Sequence, residues 1–273
     1  MSLALATGPR STLGIVRLLL QYRNTLSAVT RVELAKKYSG SVFGKVWITL
    51  YPILLLSIYL FVYMIVFKMQ LAGSTRLGYV IYVFAGLIPY IGFMEAVTSG
   101  CTSLKQNMHL IKNVMLPIEL IPARYVFVAM VGEFVGLIML LVLIAANGGL
   151  SLRLFMIPLA LGLQTIMLIG LVLVLAPLGV LLPDLAYFVN LAVLLLIFIS
   201  PIGFTLEAVP SAFSFLIYLN PLFYMIDGFR WVLLENHPFK AISAIGYTGF
   251  SIGIFAFGSW FFTKLKRIMV DFE

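Results

Sequence analysis

The sequence predicts an all-α membrane protein: six transmembrane helices, an N-terminal amphipathic interface helix, and an external re-entrant helical segment between spans five and six. Three observations carry this. The 273 residues are 62% hydrophobic and only 10% charged, where a soluble domain would carry about a quarter. Uncharged runs long enough to cross about 30 Å of hydrocarbon as helices recur along the chain. Lys and Arg gather in some of the intervening segments and avoid others, which is the pattern that sets orientation in a bilayer.

The N-terminal segment, residues 12–45, mixes Leu13, Val16 and Leu20 with Arg17, Arg23, Arg31, Lys36 and Lys37. That mixture suits an amphipathic helix in the cytoplasmic interface, its Arg side chains towards headgroups. It lacks the long apolar core of a signal peptide before Arg10. Seven uncharged candidates follow: 46–67, 77–94, 125–152 (interrupted by Glu133), 154–183, 185–206, 208–226 and 241–263. Each would have to be helical, because lipid offers no partner to an unpaired backbone.

Charge decides how many cross. With the N-terminal segment, the stretch holding Lys105, Lys112 and Arg124, and the C-terminal tail inside, thirteen of the eighteen basic residues are cytoplasmic. Lys68, Arg76, Arg153, Arg230 and Lys240 then fall outside. Both termini inside require an even number of crossings, so one candidate does not cross. Residues 208–226 are the ones to demote, since Pro210 and Pro221 each remove a helical hydrogen bond. Val209 and Asn220, each preceding a proline, are pushed out of helical geometry. Residues 211–219 remain, roughly 13 Å of helix. The spans are therefore expected at 46–67, 78–104, 121–146, 154–182, 185–204 and 242–262, in a single domain. Its divisions are the interface segment at 12–45, spans one to five at 46–204, the external segment at 205–240, and span six with its tail at 241–273.

Few residues offer chemistry. Trp47, Tyr51, Tyr59 and Tyr63 recur at multiples of four, a row that drifts slowly round a helix. Flat rings with hydroxyl tips suit the faces of sugars; interface anchoring and helix packing are the alternatives. Two acids interrupt spans, and intramembrane acids are functional candidates. Glu95 is near the cytoplasmic end of its span and is expected to reach the interface or pair with Lys105. Glu133 is deeper, with no His or Asp in another span to meet it. Structural pairing is the reading here, proton coupling the alternative. There is no HExxH, no GxSxG and no cluster with metal-ligand spacing, so catalysis has little support. "GSVFGKV" is one residue short of a phosphate loop and lacks Ser or Thr after Lys45. Any ATP would be bound by another chain. The formal charge of +8 follows from topology and does not call for nucleic acid. A lone Cys101 gives no disulfide framework.

Two blocks resemble the ABC-2 transporter permeases that export bacterial polysaccharides. The first carries Glu33, Leu34, Lys37, Tyr38, Ser41, Gly44, Trp47 and Pro52; the second carries Ser200, Pro201, Pro210, Asn220, Pro221 and Arg230. With six spans between and around them, the resemblance covers essentially the whole chain. It implies an inner-membrane homodimer with cytoplasmic termini, partnered by two ABC ATPase subunits that bind ATP and Mg, moving a lipid-linked polysaccharide outward. It implies channel lining by Tyr51, Tyr59, Tyr63, Phe188 and Phe198, and an external gate at Pro201, Pro210, Asn220, Pro221 and Arg230. It places the ATPase contact at Arg31, Lys37, Lys105, His109, Lys112 and Glu119, in the interface helix and the loop after span two. O-antigen is the cargo favoured, with capsule, teichoic acid or a small molecule as alternatives within the family. A secondary transporter using Glu133 is the alternative outside it.

Overall fold

The computed structural model describes residues 12–66, 75–108, 117–204, 209 and 214–271, and all regular structure among them is helical. Expectations for His109, Lys112 and Pro210 fall outside these residues, as do those for the side chains of Tyr59 and Tyr63.

The interface segment forms two helices, α1 (Thr12–Gln21) and α2 (Arg23–Lys37). Each buries little: Ile15 from α1, Leu26 and Thr30 from α2. Then come α3 (Trp47–Leu60), continued by a wider turn at Phe61–Val66, and α4 (Arg76–Gln106). α5 (Leu120–Ala146) returns, and a tight 3-10 turn at Leu152–Met156 leads into α6 (Ile157–Leu181). α7 (Leu185–Ile199), α8 (Ser214–Leu219), α9 (Pro221–Leu233) and α10 (Ala241–Asp271) complete the chain.

α4 is the central pillar. Its most apolar eighteen residues are 89% buried, against 28% for α10. It packs on α5, α6, α7 and α9, and α10 closes the far side of α6. The α6–α10 contact runs backbone to backbone, because Gly170 and Gly258 face each other. A Cβ at Gly258 would overlap the Gly170 carbonyl, and one at Gly170 would overlap Phe255 Cα. Such close crossings suit a bilayer, where helices associate by packing and not by escape from water.

Among the described residues four helices have the length and apolarity of a span; they lie at Leu77–Gln106, Leu120–Ala146, Leu152–Leu181 and Ala241–Lys266. α3 and α7 are apolar but shorter, at 14 and 15 residues. α7 ends earlier than the expected 204, because Ser200 turns extended (ψ 138°) ahead of Pro201. That departure from helix is what a residue before proline prefers.

Asn220-Pro221 is a helix start as well as a break. Asn220 Oδ1 accepts from the Leu222 N–H at 3.0 Å, and Pro221 sits in the first turn, where its missing N–H costs nothing. Of the run expected at 211–219, α8 occupies the described part, 214–219; beyond the break the longer α9 carries on through Asp227 and Arg230.

Candidate functional site

The end of the bundle carrying α1 and α2 is held by three ion pairs. Glu33 of α2 meets the Arg124 guanidinium at 3.2 Å and also accepts from the Tyr125 hydroxyl. Arg124 Nη2 donates to Asn107 Oδ1 at 2.6 Å, and Asn107 Nδ2 donates to the Ser103 carbonyl and the Tyr125 oxygen. One turn further along α2, Lys37 Nζ reaches Glu95 Oε1 at 2.5 Å. Burial alone would lower the Lys37 pKa, but the Glu95 carboxylate beside it holds it above its usual value. Lys266, near the end of α10, donates to Glu119 Oε1 at 2.8 Å, and both side chains are buried.

Two expectations are corrected here. Glu95 does not pair with Lys105: ten residues along one helix separate them by about 15 Å, whereas α2 delivers Lys37 directly. Glu119 is not an exposed contact residue. It is 2% exposed, turned inward at the start of α5 to meet Lys266. Arg31 and Lys105 are exposed as expected; Lys37 is partly exposed but already engaged.

Between α2, α3, α4, α5 and α7, in the half of the bundle nearer this end, lies a cleft of about 590 Å³. Lys37 and Glu95 stand at its rim, Trp47 and Tyr51 form one wall, Asn190 of α7 another, and Glu133 is part of its deepest lining. Glycines 92, 132 and 136 leave the space open. Glu133 is 2% exposed, its Oε2 accepting from Gln164 Nε2 at 2.8 Å while Gln164 also donates to the Pro89 carbonyl. Among the described residues Glu133 Oε1 has no hydrogen-bond partner. Gly92 is required beside it, since a Cβ there would overlap the carboxylate. The partner of Glu133 was missed in the sequence because a His or Asp was sought. Gln164 is neutral and ends no uncharged run, so hydropathy gives it no signal.

The opposite end gathers the second motif block. Asn220 Nδ2 donates to Ser200 Oγ at 2.9 Å, joining the start of α9 to the end of α7. Arg230 Nη2 donates to the Ile202 carbonyl at 2.5 Å, and the guanidinium lies 3.7 Å from the centroid of the Tyr82 ring. The Tyr79 and Tyr82 hydroxyls donate to the Gly203 and Phe204 carbonyls. Ser200, Pro201, Asn220 and Arg230 are all buried, and the 200–204 turn is held by Asn220 and Arg230 on one hand and by Tyr79 and Tyr82 of α4 on the other. Asp227 Oδ1 accepts from His237 Nε2 at 2.8 Å, and Arg153 donates to the His237 carbonyl. Burial raises the Asp227 pKa, but the hydrogen bond with His237, the neighbouring Ser243 and the charges of His237 and Lys240 together outweigh it and leave the carboxyl below its usual range.

Of the expected lining residues, Tyr51, Phe188 and Phe198 project from the surface of the single chain, at 45%, 69% and 70% exposure. Of the three, Tyr51 borders the cleft.

Residues 24–234 match the family model for the ABC-2 type transporter. The chain belongs to that family. Two "O-antigen export system permease protein RfbA" sequences of Klebsiella pneumoniae are 29% and 28% identical over 246 residues, covering 88% of this chain and 92% of theirs. A protein of the same description from Myxococcus xanthus is 26% identical over 239 residues, covering 85% of this chain and 90% of its own. As an ABC-2 permease the chain is a multi-pass membrane protein and a transport subunit.

Proposed function

We propose that this ABC-2 permease is half of an ATP-driven exporter that moves a lipid-linked polysaccharide of the O-antigen type across the bacterial inner membrane. The observation that carries the reading is end-to-end similarity to O-antigen export permeases, over about nine-tenths of both chains, with the two motif blocks assembled at opposite ends of the bundle. The chain forms a homodimer and engages two ABC ATPase subunits, which bind ATP and Mg. α3, extended by its wider turn, and α7 count as crossings, which brings the total to six with both termini cytoplasmic. α8 and α9 re-enter from the outside. Tyr51, Phe188 and Phe198 then face the path between the two copies, joined by Tyr59 and Tyr63. The gripped 200–204 turn, with Pro201, Pro210, Asn220, Pro221 and Arg230, is the external gate. Arg31, Lys105, His109 and Lys112 face the ATPase.

The end held by the ion pairs supports this assignment of sides. That end carries Arg31, Lys36, Lys37, Lys105 and Lys264, an excess of Lys and Arg of the kind that marks the cytoplasmic side. The test is removal of the chromosomal copy: surface polysaccharide should disappear while its lipid-linked precursor accumulates, and affinity-tagged permease should carry an ABC ATPase with it. Normal surface polysaccharide in the deletion strain contradicts the reading.

A further inference from the structure

We propose that the cleft floored by Glu133 is a binding site for a neutral sugar headgroup, entered from the cytoplasmic side and read through its hydroxyls. This rests on the reading of the chain as a glycan exporter and adds to it a place and a chemistry.

The cleft's volume of about 590 Å³ falls in the range of about 300–1,000 Å³ typical of small-molecule sites. Its walls combine two kinds of surface. Trp47 and Tyr51 offer flat apolar rings, which stack on the C–H face of a pyranose. Asn190, Thr98 and Glu133 offer hydrogen-bonding groups. Glu133 Oε1 is the strongest acceptor among them, because it is buried and has no partner among the described residues. A buried acceptor left unpaired costs free energy that an incoming hydroxyl would recover. The other carboxylate oxygen is fixed by Gln164, so the free one is held in place before any ligand arrives.

Charge chooses between the two ends of a lipid-linked glycan. Among the described residues lining the cleft the one cation is Lys37, and Glu95 neutralises it at 2.5 Å. A phosphate would be desolvated there with no free cation to meet it, whereas a neutral hydroxyl finds hydrogen-bonding partners. The site therefore takes sugar and turns the phosphate away. Gly92 is part of the design, since any side chain there would displace the Glu133 carboxylate.

The test uses the full-length chain in nanodiscs, with Cys101→Ser removing the buried native thiol and Thr98→Cys placing a reporter in the cleft. The rate of reaction with a small permeant maleimide is measured with hexyl β-D-glucoside or hexylphosphocholine, probes that share one alkyl chain. The glucoside should slow labelling several-fold and the phosphocholine should not. Glu133→Leu should abolish that selectivity and Glu133→Gln, which retains the acceptor oxygen, should keep it. Asn190→Leu, on the opposite wall, should weaken it and serves if the Glu133→Leu variant does not fold. Equal slowing by both probes would make the cleft a groove for alkyl chains and overturn the proposal. So would no slowing by either, or sugar selectivity that survives both Leu substitutions. Because the measurement needs no ATPase, a chain that binds glucoside but recruits no ATPase sinks the exporter reading and leaves the site standing.

Discussion

Arg230 is buried to 3% exposure and spends its guanidinium on a carbonyl of the 200–204 turn and on the Tyr82 ring. Lysine cannot make both contacts, since it lacks the planar fork and stacks poorly. We expect Arg230→Lys to cost roughly 1–3 kcal/mol in thermal stability and to loosen the turn, read as faster labelling of a cysteine placed at Gly203. Glu33 and Arg124 make a second residue-scale case. Arg124→Met leaves a carboxylate against apolar packing and should lower stability by about 1–3 kcal/mol and speed proteolysis of α1 and α2. The swap Glu33→Arg with Arg124→Glu should recover part of that loss; no recovery would mean that Asn107 and Tyr125 hold the contact without the ion pair. Glu33 was legible in the sequence as a motif residue, but Arg124 was not. Among so many basic residues that only set topology, nothing in one chain marks the one that turns inward. Lys266 and Glu119 were hidden for the same reason: burial of a pair depends on two distant helices meeting.

Helices were far easier to read than their partners. Among the described residues the uncharged runs are mainly helical, as a bilayer demands, with 185–206 leaving helix at Ser200 and 208–226 broken at Asn220. The Asn220-Pro221 step was correctly a break, though it is also the N-cap of α9, and the same two residue types signal both. What hydropathy could not give was the helix pairing. Gly170 and Gly258 are two of the 22 glycines in the sequence and carry no mark of facing each other. Gly170→Leu should push α6 from α10 and cost at least about 1–3 kcal/mol, seen as a lower melting temperature in detergent, while Gly162→Leu, which meets open space, should not. At the start of α10, the Asp227–His237 contact ties α9 to the segment before α10. Since the native state holds the Asp227 pKa below its usual range, this stabilisation is complete above that range and is lost as pH falls from it through the lowered native value. Between about pH 7 and pH 3, Asp227→Asn should therefore flatten the acid side of the stability profile; an unchanged profile would place acid sensitivity elsewhere.

At the scale of the whole molecule, one chain leaves broad apolar faces open. The apolar face of α7 presents Tyr187, Phe188, Leu194 and Phe198, and α3 presents Tyr51 and Ile58, without cover from the rest of the chain. In lipid such a face needs no partner, so a homodimer is argued from the path it would enclose. Cysteines at Phe198 should cross-link between copies in native membranes if α7 faces its twin, and remain monomeric if it faces lipid. Charge parity led to an expectation of six crossings, and four helices among the described residues have the length and apolarity of a span; no sequence pattern of one chain fixes which faces turn towards a second. The central claim is that this permease moves a glycan only as part of an ATP-driven complex. Its most direct measurement is reconstitution of the permease with its co-purified ATPase into liposomes loaded with lipid-linked polysaccharide on the ATPase-facing side. A membrane-impermeant lectin should gain access to glycan on the opposite side when ATP and Mg are supplied, and not with permease alone. Glycan that crosses at the same rate without ATP, or never crosses with the full complex turning over ATP, would contradict the account.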